Sequence, residues 1–196
     1  VQFVIRPQRA DFPDYRGYAG RVAGGVLRVG DEIMVLPSGL TSTITGIDSP
    51  TGPLQEATPG QAVTVLLADD LSITRGDMIC RPNNRPRASQ ELEAMLCWMD
   101  DTAPLQPGKI YTIKHTTKVA RTKITEVLYR LNISTLSRET GVNQLGMNEI
   151  GRVTLHTTAP LMFDDYHQNR TTGCFIIVDE STGQTAGAGM LLSPRT

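Results

Sequence analysis

Glycine and proline interrupt this chain at short intervals throughout, 18 and 12 of them in 196 residues, and what lies between is short and rich in Val, Ile and Thr. Such punctuation leaves room for many brief strands and few helices. Gly17 to Val35 places Val22, Val26, Val29, Ile33 and Val35 between glycines and a Gly30-Asp31 turn, which reads as a tight hairpin. Thr41 to Asp48 alternates Thr with Ile44 and Ile47 as a half-buried strand. Gln61 to Ala68 is a continuous apolar run between Pro59-Gly60 and Asp69-Asp70 and suits a buried strand. Gly76 to Pro82 closes the block.

Pro82 to Gln90 then holds little that can pack and reads as a linker, with a hinge between Pro82 and Ser89. The strand pattern resumes after it. Glu91 to Met99 fits a helix by spacing, but the alternation of Leu92, Ala94, Leu96 and Trp98 favours a strand in these surroundings. Lys109 to His115 puts Ile110 and Thr112 on one face and Tyr111 and Ile113 on the other. Thr117 to Ile133, Glu149 to Phe163, Cys174 to Asp179 and Thr185 to Leu192 complete the set, the last two joined by a turn at Glu180 to Gly183. The expected fold is all-β, two consecutive β-barrels over residues 1–86 and 87–196. Val22, Val26, Val63, Val65, Leu67, Ile113, Ile176 and Val178 are the expected core.

The charge balance, 19 Lys+Arg against 20 Asp+Glu, lacks the basic excess of a dedicated nucleic-acid binder. No apolar run is long enough to span a membrane as a helix, and no signal sequence opens the chain. Three scattered cysteines, Cys80, Cys97 and Cys174, fit a reducing cytoplasm. His115, His156 and His167 lie far apart in sequence, so no metal site is expected. The first residue is Val1, which suggests a piece of a longer protein.

Catalytic chemistry is missing from the sequence. Gly108-Lys109 lacks the upstream glycine and the following Ser or Thr of a phosphate-binding loop. Asp14-Tyr15-Arg16-Gly17 matches a loose D-x-x-G by coincidence, and no Asn-Lys-x-Asp is present to read guanine. The acid pairs Asp69-Asp70, Asp100-Asp101 and Asp164-Asp165 sit beside turn signals, where Asp serves local hydrogen bonding. The sequons at Asn132 and Asn169 have no secretory context. No catalytic, cofactor-binding or metal residue is therefore assigned. One stretch is electrically lopsided: Lys109, Lys114, Lys118, Arg121, Lys123 and Arg130 face only Glu126. It is either a solvated rim or a docking surface for an acidic partner.

Three motifs in order carry a resemblance. Arg16-Gly17, Gly20-Arg21-Val22, Gly25-Val26-Leu27 and Gly30 are followed by Ala57-Thr58-Pro59-Gly60-Gln61-Ala62-Val63 and by Ile73-Thr74-Arg75-Gly76-Asp77. This half resembles the second domain of translational GTPases such as elongation factor Tu. The second half, with Tyr111-Thr112-Ile113-Lys114-His115-Thr116, resembles their third domain. Val1 to Pro7, Asp14 to Gly20, Met147 to Val153 and Asn169 to Met190 are most similar in wording to the GTPase subunits of bacterial sulfate adenylyltransferase.

That resemblance implies a G domain holding GTP and magnesium ahead of these barrels, a catalytic sulfate adenylyltransferase subunit as heterodimer partner, and in some members a fused adenylylsulfate kinase domain. It implies docking and coupling here rather than catalysis, with no nucleic-acid or membrane partner. The alternative is a tRNA- or ribosome-binding module of a translation-factor-type GTPase. Partner-contact candidates are Arg6, Arg9, Tyr15 and Arg16 in the first barrel and Lys118, Arg121 and Lys123 in the second.

Overall fold

A computed structural model describes residues 1–5 and 15–193, and for residues 3–5 only the backbone. Among the described residues the chain is nearly all strand, with one four-residue helix, and divides into units at Val1–Pro86 and Arg87–Thr196.

The first unit holds β1 (Phe3–Ile5), β2 (Gly17–Arg21), β3 (Leu27–Arg28), β4 (Glu32–Leu36), β5 (Thr41–Ser49), β6 (Gly52–Leu54), β7 (Glu56–Ala57), β8 (Ala62–Leu67) and β9 (Met78–Cys80). Hydrogen bonding runs in the order β1-β2-β8-β5-β4-β9, with β6 on β5 and a separate β3–β7 ladder. The two ends of that path meet. The Gly76 amide donates to the Val1 carbonyl at 3.0 Å and the Val1 nitrogen donates to the Asp77 carbonyl, which curls the sheet on itself. Ile33, Val35, Ile44, Ile47, Val63 and Val65 fill the interior with Tyr18, whose hydroxyl donates to the Leu71 carbonyl at 2.8 Å.

Gly17 to Val35 is not a hairpin. Its three strands enter three different ladders: β2 pairs with β1 and β8, β3 with β7, and β4 with β5 and β9. The Gly30-Asp31 turn does form, Gly30 taking a φ of 90° that a side chain disfavours. Val26 and Leu67 are half-buried rather than core. The apolar run in β8 alternates, Val63 and Val65 pointing in; Leu67 shares their parity and packs against the same core, but at the strand's end it is only half-buried.

The second unit holds β10 (Arg87–Trp98), β11 (Ile110–His115), β12 (Lys118–Leu131), β13 (Arg138–Glu139), β14 (Ile150–Phe163), α1 (Arg170–Gly173), β15 (Cys174–Val178) and β16 (Thr185–Leu192). Six strands pair in the order β11-β15-β16-β10-β14-β12, and β12 pairs back onto β11, so the barrel is closed. Closure leaves no free edge among those six. Leu92, Ala94, Leu96 and Trp98 all point inward from β10, the strand reading of that segment. Trp98 meets Tyr111 edge-on at 5.5 Å and donates its indole N–H to the Ala103 carbonyl.

Two expectations are corrected here. Arg87 to Gln90 is strand rather than linker, because Arg87, Ala88 and Ser89 pair with Phe163, Met162 and Leu161. The core face of β15 is Phe175 and Ile177, while Ile176 and Val178 are half-buried on the outside. A five-residue segment apolar at both parities gives alternation nothing to choose between. The helical turn α1 was not anticipated. Asn169 caps it, its Oδ1 accepting from Thr171 N at 3.0 Å and Thr172 N at 3.4 Å. Both sequon asparagines are such local acceptors, since Asn132 Oδ1 takes the Ser134 amide at 3.0 Å.

Candidate docking surfaces

Five of the six acids in the pairs have partners among the described residues. Asp69 accepts from Ser42 Oγ at 2.7 Å and Asp70 pairs with Arg16. Asp100 closes a turn onto Thr102, and the carboxyl is held below its usual range by those hydrogen bonds. Asp164 accepts from Thr172 Oγ1 at 2.6 Å, and Asp165 from the amides of His167 and Ser193. Among the described residues no three His, Cys, Asp or Glu side chains gather as a metal site would need. No helix among them is long and apolar enough to cross a membrane.

A shallow cleft of about 250 Å³ opens where β10 bulges between Ser89 and Glu91, lined by Arg87, Glu91, Glu93 and Phe163 among others. Its carboxylates have partners: Glu91 contacts His156 and Glu93 contacts Arg152.

Of the contact candidates in the first unit, Arg6 and Arg9 lie outside the described residues. Tyr15 and Arg16 precede β2 and are engaged internally. The Tyr15 hydroxyl donates to Asp48 Oδ2 at 2.9 Å, and burial followed by that carboxylate pushes the phenol up to about 12. Arg16 pairs with Asp70 and lies 5.5 Å from the Tyr18 ring.

The cations of the second unit fall on the β11–β12 hairpin, and strand parity sorts them. Outward from β11 stand Ile110, Thr112 and Lys114; outward from β12 stand Val119, Arg121 and Lys123. The register makes them three cross-strand pairs: Lys114 with Val119, Thr112 with Arg121, and Ile110 with Lys123. Lys118 has the other parity, opposite buried His115, and is half-buried. Lys114 belongs to the face, though the sequence candidates omit it.

Distant acids cancel half of the apparent basic excess. Arg121 forks onto Glu180, Nε to Oε1 at 2.9 Å and an NH2 to Oε2 at 3.0 Å. Lys109 donates to Asp179 at 2.7 Å, and Arg130 meets both Glu139 and Glu149. Asp179 lies well below the usual carboxylate range, first because of Lys109 and then because of Ser181. Lys114, Lys118 and Lys123 join no ion pair among the described residues.

Comparison with known proteins matches residues 18–80 to the family described as elongation factor Tu domain 2, and residues 91–192 to the family described as GTP-eEF1A C-terminal domain-like. The bifunctional enzyme CysN/CysC of Mycobacterium tuberculosis is 52% identical over 192 residues, 98% of this chain and 31% of that protein. Sulfate adenylyltransferase subunit 1 of Aeromonas hydrophila is 43% identical over 192 residues, 98% of this chain and 39% of that protein. The chain thus spans between about a third and two fifths of these relatives. The crystal structure of sup35 complexed with GDP superposes with a TM-score of 0.83 at 17% identity, over 92% of this chain and 44% of that one, a likeness of fold.

Proposed function

The chain belongs to the GTP-eEF1A C-terminal domain-like family through residues 91–192, and from that premise we propose that its two units are the C-terminal barrels of a GTP-hydrolysing regulatory subunit of ATP sulfurylase. The parent enzyme would join sulfate and ATP into adenylylsulfate and diphosphate, with GTP hydrolysis driving the unfavourable direction. The observation that carries this reading is identity of 52% and 43% across nearly the whole chain to proteins named CysN/CysC and sulfate adenylyltransferase subunit 1.

The division of labour follows from the chemistry of the residues. GTP and magnesium belong to a G domain of the parent, since these barrels offer neither a phosphate-binding loop nor a guanine-reading segment. The barrels dock and couple. Coupling requires contacts that differ between two states of one assembly, which surface side chains can provide without breaking bonds. Tyr15 and Arg16 on the first barrel and Lys118, Arg121 and Lys123 on the second remain the candidate contacts toward the G domain and the catalytic subunit. An adenylylsulfate kinase domain fused in some members, one relative being named the bifunctional enzyme CysN/CysC, and a cytoplasmic setting, which three scattered cysteines fit, complete the proposal. The tRNA- or ribosome-binding alternative is not favoured.

The test is adenylylsulfate synthesis by the full-length parent mixed with a sulfate adenylyltransferase catalytic subunit, with and without GTP. GTP-dependent synthesis that needs both proteins is expected. Assembly without any effect of GTP on synthesis would overturn the reading.

A further inference from the structure

We propose that the outward face of the β11–β12 hairpin is the docking site for an acidic protein surface, with Val119 and Ile110 as its apolar contact and Lys114 and Lys123 as its free cations. This rests on the function proposed above, under which the acidic surface belongs to the catalytic subunit.

The face combines two features that seldom coincide on a closed barrel. Val119 and Ile110 are 58% and 46% exposed, and cross-strand pairing sets each directly against a lysine. Opposed side chains on neighbouring strands sit about 5 Å apart at Cβ, so each apolar group and its cation form one contact patch. The third pair, Thr112 with Arg121, lies between the other two and is tied down by Glu180, which also takes the Thr112 hydroxyl at 3.3 Å. The middle is therefore electrically closed. The two ends are open, with a local charge of +2 from Lys114 and Lys123 in a unit whose eleven Lys and Arg equal its eleven Asp and Glu.

Charge complementarity selects the occupant. Two unpaired lysines beside β-branched side chains suit carboxylates arranged around an apolar spot, an apolar centre with a charged rim being the common anatomy of a protein interface. The face carries no aromatic side chain on which a nucleobase could stack, which separates it from single-strand nucleic-acid grooves. Nor does it add a strand, because both β11 and β12 are paired on each side. Docking is by side chains.

The experiment titrates full-length parent against the catalytic subunit at about 50 and about 300 mM salt, where screening lengths differ by more than twofold. Lys114→Glu with Lys123→Glu should weaken the complex by about tenfold or more at low salt, and the uncharged Val119→Asn should weaken it by a factor that is the same at both salts. Lys114→Gln with Lys123→Gln should flatten the salt dependence while leaving the melting curve native. Wild-type affinity in the natively melting double-Glu variant overturns the docking face. Failure of the wild-type proteins to form any complex overturns the subunit assignment itself and this face with it.

Discussion

Arg121 and Glu180 clasp across the strand that lies between them. Arg121 belongs to β12, Glu180 to the turn after β15, and both strands flank β11 in the closed barrel. The pair bridges over Thr112, whose hydroxyl adds a third contact to Glu180. The guanidinium holds the Glu180 carboxyl below its usual range, and the carboxylate raises Arg121 in turn. Exposed ion pairs contribute little singly, but a two-point fork has a geometry that a lysine cannot copy.

Charge exchange should expose that geometry. Arg121→Glu and Glu180→Arg, made singly, should each lower the melting temperature by placing like charges together, and the double exchange should recover part of the loss at low salt. Additive losses across the thermal melts would show that the two side chains do not interact. Glu180→Gln has a second consequence: it frees a third cation on the docking face, so an acidic partner should bind more tightly to it.

His115 gives the second barrel a pH dependence. It is 1% exposed, and its Nε2–H donates to the Thr172 carbonyl at 2.6 Å. Burial lowers its pKa from the ordinary value, opposed by the Thr172 hydrogen bond and by the charge of Asp164. Below about pH 6.5 an unfolded chain therefore takes up a proton that the folded chain resists. The contribution to stability is full above that pH and falls as the pH drops toward the lowered folded value. Urea midpoints between pH 5 and pH 8 should slope downward on the acid side, and His115→Gln, which keeps a donor but cannot titrate, should flatten the slope. An equal slope in both proteins would assign the effect elsewhere.

Legibility in the sequence followed the physics of each element. Strand β10 was readable because its apolar residues, Leu92 to Trp98, share one parity. Strand β15 was not, because Cys174 to Val178 is apolar at both. The hairpin expected in Gly17 to Val35 failed since each of its strands takes a ladder partner about 30 to 50 residues away, as with Gly17 and Leu66, which local turn signals do not encode. The proposed docking face was half visible: summing cations along Lys109 to Arg130 points to the β11–β12 hairpin, but only strand parity adds Lys114 to its outward face and sets Lys118 apart. The acids that cancel Lys109 and Arg121 come from Asp179 and Glu180, some sixty to seventy residues on, where no local pattern points to them.

The phase of β15 is itself testable through Gly189. Gly189 on β16 is the cross-strand partner of Phe175, and both backbones put these positions on the inner face. The ring fills the space a side chain would take: a Cβ on Gly189 would fall 2.6 Å from Phe175 Cε1 and closer still to Cζ. Phe175 is 3% exposed and packed in the core, so the ring cannot swing to solvent. Gly189→Ala should therefore destabilise the barrel by about 1–3 kcal/mol, the usual range for overpacking a filled core. The same change at Gly183, where no atom lies near but φ is 71°, acts through backbone strain alone. Combining Gly189→Ala with Phe175→Leu separates the two mechanisms, since removing the ring removes the clash and should make the glycine substitution cost less than it does alone. Chemical denaturation of the four proteins in that cycle measures the coupling directly. Strict additivity would mean that Phe175 does not occupy the space above Gly189, and that β15 turns its other face inward.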